Sequence, residues 1–259
     1  MFSSPIGILF TTVALDLIGF GMVVPLMPLY ARTFAVSPQA IAWLLASYSL
    51  MQFFCAPVWG KLSDRLGRRP VLLASMAGNV VALAAFATAQ SFEQLFASRV
   101  LAGICTANIS VASAYVADST PDHLRSRGMG LIGAAFGLGF VLGPFFAGEL
   151  SRFGLAAPPA VAAVLALINL ALAYLRLPES LPPLRRQVQA RPLRFWTILW
   201  GRWQVARSQP RLLPLLGIIF THVFGFAMIE MALTLMVAQR LGFGPCKVAA
   251  CWPLWEWCW

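Results

Sequence analysis

Seven apolar runs of bilayer-crossing length govern what this chain can fold into. They occupy residues 6–29, 41–59, 70–89, 92–116, 129–150, 157–175 and 213–238. About 20 apolar residues in a helix cross the hydrocarbon core of a bilayer, where each backbone N–H and C=O must be satisfied within the segment. Charged residues make up 11% of the chain. An average soluble domain carries roughly 25%, so this chain has too few to cover a water-facing surface. The fold class that follows is an all-α polytopic membrane protein. Turn signals separate the runs at Ser37-Pro38, at 118–122 (Asp-Ser-Thr-Pro-Asp) and at Pro158-Pro159. Residues 1–30 hold no Lys or Arg and carry Asp16 in the middle, so they read as a retained first span and not as a cleaved signal peptide.

The net charge is +10, which in a compact basic domain would suggest nucleic acid. Here the arginines sit in short loops between apolar runs, and no nucleic-acid partner is expected. They act as orientation signals. Fourteen Lys and Arg fall in alternate loops: Lys61, Arg65, Arg68 and Arg69, then Arg125 and Arg127, then Arg176 to Arg211. The opposite loops hold only Arg32, Arg152 and Arg240. The bias places the N-terminus in the cytoplasm. Residues 177–211 contain five prolines, seven arginines from Arg185 to Arg211, and Trp196, Trp200 and Trp203. Such a segment cannot span and suits the inner headgroup layer as a linker. The domain plan is therefore a six-helix bundle over 1–176, a basic, Pro-rich linker over 177–211, and a seventh helix opening a second bundle over 212–245. Residues 246–259 form an aberrant tail.

Between the second and third runs lies Gly60-Lys61-Leu62-Ser63-Asp64-Arg65-Leu66-Gly67-Arg68-Arg69-Pro70. Five charges keep this stretch in water, its glycines fit a tight reversal, and Pro70 fits the first turn of a helix. The pattern Gly-x-x-x-Asp-Arg-x-Gly-Arg-Arg resembles the loop between helices 2 and 3 of the major facilitator superfamily of transporters. That resemblance implies two six-helix halves, each built of two inverted three-helix units. It also implies that Gly60, Asp64, Arg65, Gly67, Arg68 and Arg69 form a cytoplasmic gate loop.

Ionisable groups inside spans are expensive, and each needs a reason. Asp16 lies in Asp16-Leu17-Ile18-Gly19-Phe20-Gly21 and on through Pro25 and Pro28. The stretch resembles the helix 1 motif of proton-coupled drug antiporters. Desolvation favours the neutral form of a carboxylate, which lets such a group exchange a proton near neutral pH. The bland alternative is a carboxylate capping a kink or pairing with an arginine. Arg99, in Arg99-Val100-Leu101-Ala102-Gly103, resembles the helix 4 arginine motif linked to proton transfer in the same family. The bland alternative is an arginine snorkelling to the interface, since it lies only about seven residues, or roughly 10 Å, from the end of its run. Helices 1 and 4 are equivalent in the two inverted units, so Asp16 and Arg99 could share one cavity. Gly139-x-x-x-Gly143-Pro144-x-x-x-Gly148 resembles the antiporter motif of the family. Its glycines permit close helix approach and its proline bends the helix for switching; ordinary small-residue packing is the plain alternative. In the seventh run His222 and Glu230 are eight residues apart, within roughly 80° on one face. With Asn108, Ser110 and Ser113 they are candidate lining of a substrate cavity, although His222 alone reads more readily as a packing histidine.

The resemblance covers residues 1 to about 245 and is closest to the tetracycline-efflux-like group. The stretch from Asp118-Ser119-Thr120-Pro121 through Arg125 and Gly128 into Gly130–Gly137 carries it. Ala102 and Ser113 depart from the acidic residue and the Gln common at those positions there, which argues against tetracycline itself. The family has about twelve spans, so the resemblance implies that a second half is missing after the seventh. The tail holds three of the five Cys and four of the nine Trp, at spacings that fit no zinc site. Trp is TGG and Cys is TGC or TGT; read one frame over, each becomes Leu, Met or Val, and residues 251–259 become an apolar segment. A frameshift near Gly244 is the expectation. No enzyme fingerprint of the HExxH, Gly-x-Ser-x-Gly, P-loop or dinucleotide kind is present, and no cofactor or metal is implied. The expected function is export of small hydrophobic or cationic compounds in exchange for protons across a bacterial inner membrane. A half-length product that does not transport is the alternative.

Overall fold

The computed structural model describes residues 5–27, 33–34, 36–106, 108–121, 123, 125–180, 208–209 and 212–240. Regular structure among them is entirely helical. The helices are α1 (Pro5–Val23), α2 (Pro38–Leu66), α3 (Arg68–Ala87), α4 (Phe92–Cys105), α5 (Asn108–Ser119), α6 (Arg125–Leu150), α7 (Ala157–Arg176) and α8 (Leu212–Arg240). The chain divides into two compact units, residues 1–190 with 245–259 and residues 191–244. The described part of the first is α1 to α7 and that of the second is chiefly α8. The tail lies outside the described residues, as does the linker apart from 177–180 and 208–209.

Each apolar run is helical over most of its described part, but three boundaries differ from the sequence expectation. α1 ends at Val23 and tightens into a 3₁₀ turn over Val24–Leu26, because Pro25 has no N–H to continue the α ladder. The charged stretch after the second run is mostly not a loop. α2 runs on to Leu66 and the chain reverses at Gly67 alone, with φ 109°. Lys and Arg are good helix formers and suit a helix C-terminus, so charge does not end the helix. Only glycine adopts that backbone angle without strain. Gly60 sits inside α2 with open space around it and makes no turn. α6 begins at Arg125, one turn before the expected start.

The fourth run is not one helix. It breaks after Cys105. Thr106 turns back on the preceding turn, with both N–H and Oγ1 donating to the Ala102 carbonyl at 2.9 and 2.5 Å. This is the local competition with which Thr unsettles helices. The break leaves the Ile104 carbonyl without its helical partner, and the indole Nε1 of Trp59 on α2 donates to it at 2.5 Å.

Inside the first unit the packing is paired. α1 lies against α6 and α7, α4 lies against α2 and α3, and α3 lies against α7. Exchanging the first three spans with the second three maps this set of contacts onto itself, as two inverted three-helix units require. The α1–α6 contact is backbone on backbone. A Cβ on Gly139 would stand 2.5 Å from Leu17 Cβ, and one on Gly143 would stand 2.6 Å from Gly21 Cα. Large apolar side chains such as Trp43, Phe53, Val81, Phe145 and Leu167 point outward, as suits a lipid-facing surface. Among the described residues, five helical stretches are long and apolar enough to cross a membrane, counting Phe92–Asp118 as one.

Candidate functional site

A cavity of about 140 Å³ lies among α1, α2, α3, α4 and α6. A buried water needs only about 10–15 Å³ by such a measure, so there is room for a chemical group of some size. Asp16 and Arg99 both line it, with Phe20, Tyr48, Gln52, Asn79, Thr106 and Phe136 and several aliphatic side chains. α1 presents Asp16 through the turn that also supplies Val13, Leu17 and Phe20. The ring of Phe20 meets Tyr48 at 5.3 Å and Phe140 at 6.3 Å, and Phe136 stacks on Phe140 at 6.4 Å. The wall is therefore aromatic around two opposite charges.

The two charges are held differently. Asp16 is half-buried, and its Oδ1 accepts from Asn169 Nδ2 at 3.1 Å. The same amide donates to the Thr12 carbonyl at 2.9 Å, which fixes it across α1 and α7. Arg99 is 2% exposed, so the snorkelling alternative is overturned: its side chain turns inward and its guanidinium carbon lies 4.4 Å over the Phe86 ring. Nε and Nη2 have no hydrogen-bond partner. A cation–π contact is worth about 0.5–2 kcal/mol, whereas removing an ion from water costs several. The ring orients the guanidinium but does not replace its lost hydration. Tyr48 lies within electrostatic reach of both charges.

At the end of the bundle where α2 meets α3, a second cluster joins four helices. The buried Arg68 guanidinium pairs with Asp64 at 2.5 Å and with Asp118 of α5 at 2.9 Å, and donates to Ser63 Oγ at 2.7 Å. Glu179, just past α7, accepts from the backbone N–H groups of Arg68 and Arg69 at 2.9 and 3.3 Å. These are the first two orphan donors of α3, and a carboxylate there also meets the positive end of the helix dipole. Arg69 donates to the Tyr174 carbonyl at 2.6 Å and stacks near its ring, and Tyr115 Oη donates to the Pro178 carbonyl at 2.9 Å. The bundle's contacts thus run past residue 176 to 179.

A family model described as the Major Facilitator Superfamily matches residues 9–256. The chain belongs to that superfamily. The tetracycline resistance protein, class C, of Escherichia coli is 43% identical over 213 residues, which cover 81% of this chain and 52% of that protein. Major facilitator superfamily domain-containing protein 10 of Homo sapiens is 35% identical over 213 residues, 76% of this chain and 46% of that protein. The crystal structure of the human organic anion transporter MFSD10 (TETRAN) superposes with a TM-score of 0.76 at 32% identity, covering 96% of this chain and 68% of that one. The chain spans about half the length of the curated relatives it matches. The superfamily is one of membrane transporters, not enzymes.

Within this major facilitator bundle the sequence candidates fall into three places. Asp16 and Arg99 share the cavity. Asp64, Gly67, Arg68 and Arg69 lie together at the α2–α3 junction, with Arg65 two residues before the reversal and Gly60 further back in α2. Gly139, Gly143, Pro144 and Gly148 are buried on α6. Ser113 is half-buried on α5 and not part of the cavity wall, Ser110 is exposed, and His222 is exposed on α8. The side chains of Asn108 and Glu230 lie outside the described residues. Sequence reasoning did not single out Gln52, Asn79, Asn169 or Glu179. The first three carry a signal that could have found them: an amide inside an apolar run needs a partner or a cavity.

Proposed function

We propose that this chain forms one half of a proton-coupled secondary transporter that exports small hydrophobic or cationic compounds by alternating access. The observation that carries the reading is Asp16, a carboxylate in the wall of an otherwise largely apolar and aromatic cavity. A guanidinium keeps its proton throughout, so Asp16 carries the exchanged proton and Arg99 shapes the field around it. Protonation of Asp16 removes one of two opposed wall charges, and that change biases the bundle toward one of its two access states. Asp64, Arg65, Arg68 and Arg69 latch the cytoplasmic gate, and the close contact at Gly139 and Gly143 lets α1 and α6 rock as a pair. The cavity is completed by a second bundle of the kind that the longer relatives have room for. The protein sits in a bacterial inner membrane with its N-terminus in the cytoplasm, consistent with the excess of Lys and Arg in alternate loops. Ala102, which lines the cavity, points to a substrate other than tetracycline.

The test uses everted membrane vesicles carrying the 259-residue chain, alone and with a co-expressed second half, under an imposed inside-acid pH gradient. Uptake of a fluorescent hydrophobic dye is followed. Gradient-driven uptake that Asp16→Asn abolishes is the expected result. Equal uptake by Asp16→Asn ends the coupling role, and no uptake in either arrangement favours the second reading. In that reading the chain, about half the length of its relatives, is a product that does not transport.

A further inference from the structure

We propose that Gln52 and Asn79 form a hydrogen-bonding subsite of the cavity, which takes the polar head of an uncharged aromatic solute: a primary carboxamide or another group that offers a donor and an acceptor side by side. The inference rests on the transport reading and narrows its substrate class. An amide inside an apolar span is costly and needs a partner. Asn169 has its partners within the chain, the Thr12 carbonyl and Asp16. Gln52 on α2 and Asn79 on α3 line the cavity, and among the described residues neither has a hydrogen-bond partner. Both are half-buried, and their amide atoms, unlike Nε and Nη2 of Arg99, are not shut away from the surface.

Two close backbone approaches hold these amides at one level of the bundle. A Cβ on Gly103 of α4 would strike the Tyr48 carbonyl oxygen and stand 2.8 Å from Met51 Cβ. A Cβ on Gly78 of α3 would stand 2.8 Å from Cys105 Cβ. Met51 and Gly78 directly precede Gln52 and Asn79. Gly103 and Cys105 are two residues apart, about 3 Å along the axis of α4. The two amides therefore stand at similar height on the two helices that pack against α4, about one turn away from Arg99. Their backbone has little room to shift, and such prior placement lowers the ordering cost of binding.

The wall around them selects against charge. Its acid and its guanidinium, Asp16 and Arg99, cancel in formal charge. A charged solute thus meets no net counter-charge, and burying an ion costs far more than burying a hydrogen-bonded amide. Each side-chain amide carries two N–H donors and a carbonyl acceptor. A carboxamide head meets them with complementary groups, whereas a hydrocarbon displaces water from both and leaves them unpaired. Phe20, Phe136 and Leu83 give the ring system its surface.

The experiment is equilibrium binding of radiolabelled naphthalenes to the purified 259-residue chain in lipid nanodiscs, with uptake by empty nanodiscs subtracted. Naphthamide, acetylnaphthalene and isopropylnaphthalene have heads of nearly one shape and offer donor and acceptor, acceptor alone, or neither. Naphthoate and naphthylmethylammonium add charge. Naphthamide is expected to bind at least about tenfold tighter than isopropylnaphthalene, a difference of about 1.4 kcal/mol, with acetylnaphthalene between them and both ions weaker than naphthamide. Gln52→Met and Asn79→Leu keep the side-chain size, and each is expected to cut the lead of naphthamide without weakening isopropylnaphthalene. Should one variant fail to fold, the ranking on the unaltered chain and the other variant decides. Isopropylnaphthalene or either ion binding as tightly as naphthamide overturns the subsite, and so does a lead that survives both variants. Those results leave the transport reading standing, since dye uptake by vesicles decides it separately. Absence of binding by every ligand also overturns the subsite.

Discussion

Replacing Gly143 by Ala adds a single methyl where the structure has no space for it. An ideal Cβ at that position stands 2.6 Å from both Cα and C of Gly21 and 2.9 Å from the Ile18 carbonyl oxygen. Carbon atoms in contact prefer about 3.5–4.0 Å, so α1 must retreat by roughly 1 Å. All three obstructing atoms are backbone, and no side-chain rotation relieves the clash. Overpacking of this kind costs about 1–3 kcal/mol. With about 2–4 °C per kcal/mol for a chain of this size, the melting temperature should fall by roughly 2–12 °C. Gly137→Ala is the control on the same helix, since nothing lies within 4 Å of a Cβ there. It should leave the melt unchanged or raise it, because Ala in a helix interior is favoured over Gly by up to about 1 kcal/mol. The assay is thermal exposure of the buried Cys105 to a thiol-reactive fluorophore, in a background where it is the only cysteine. A Gly143→Ala melt equal to or above that of Gly137→Ala would refute the claim that α1 and α6 meet backbone to backbone.

Glu179→Gln removes the charge from the α3 cap and should cost about 0.5–2 kcal/mol, with the loss smaller in high salt; melts at two ionic strengths measure it, and a salt-independent loss counts against the dipole argument. Trp59→Phe leaves the Ile104 carbonyl unpaired in an apolar setting, about 1–3 kcal/mol, and should speed hydrogen exchange in α4 near residue 105 more than in α3. Asn169→Ala removes the amide donor from Asp16 Oδ1 and should alter the pH dependence of gradient-driven dye uptake without abolishing it, whereas Asp16→Asn abolishes it.

The spans were open to reading because bilayer length and apolar composition are properties of contiguous residues. Asp16 and Arg99 stood out for the same reason, as rare charges inside apolar runs. What stayed hidden depends on residues distant in the chain. The break at Thr106 is stabilised by Trp59, 45 residues away, and the hold on Asp16 comes from Asn169, 153 residues away. Neither partnership has a local pattern. Its distance along the run left open whether Arg99 turns inward or snorkels. Depth in the bundle is set by which face of α4 meets α2 and α3, and a position count does not contain that. The charged junction misled in the opposite way, since its motif was clear but its hydrophilicity suggested a loop where good helix formers continue α2 to Leu66.

The interruption at Thr106 has a mechanical meaning. Arg99 belongs to the segment before it and Asp118, bound to Arg68, to the segment after it. A continuous helix would act as a stiff rod and pass any rotation at the cavity straight to the charged junction. A joint whose freed carbonyl is already satisfied can flex without exposing an unpaired group, so the two ends need not move in step. Spin labels on α4 and α5 would report it as a change in their mutual angle when a ligand occupies the cavity, and a fixed angle would mean that the span moves as one piece.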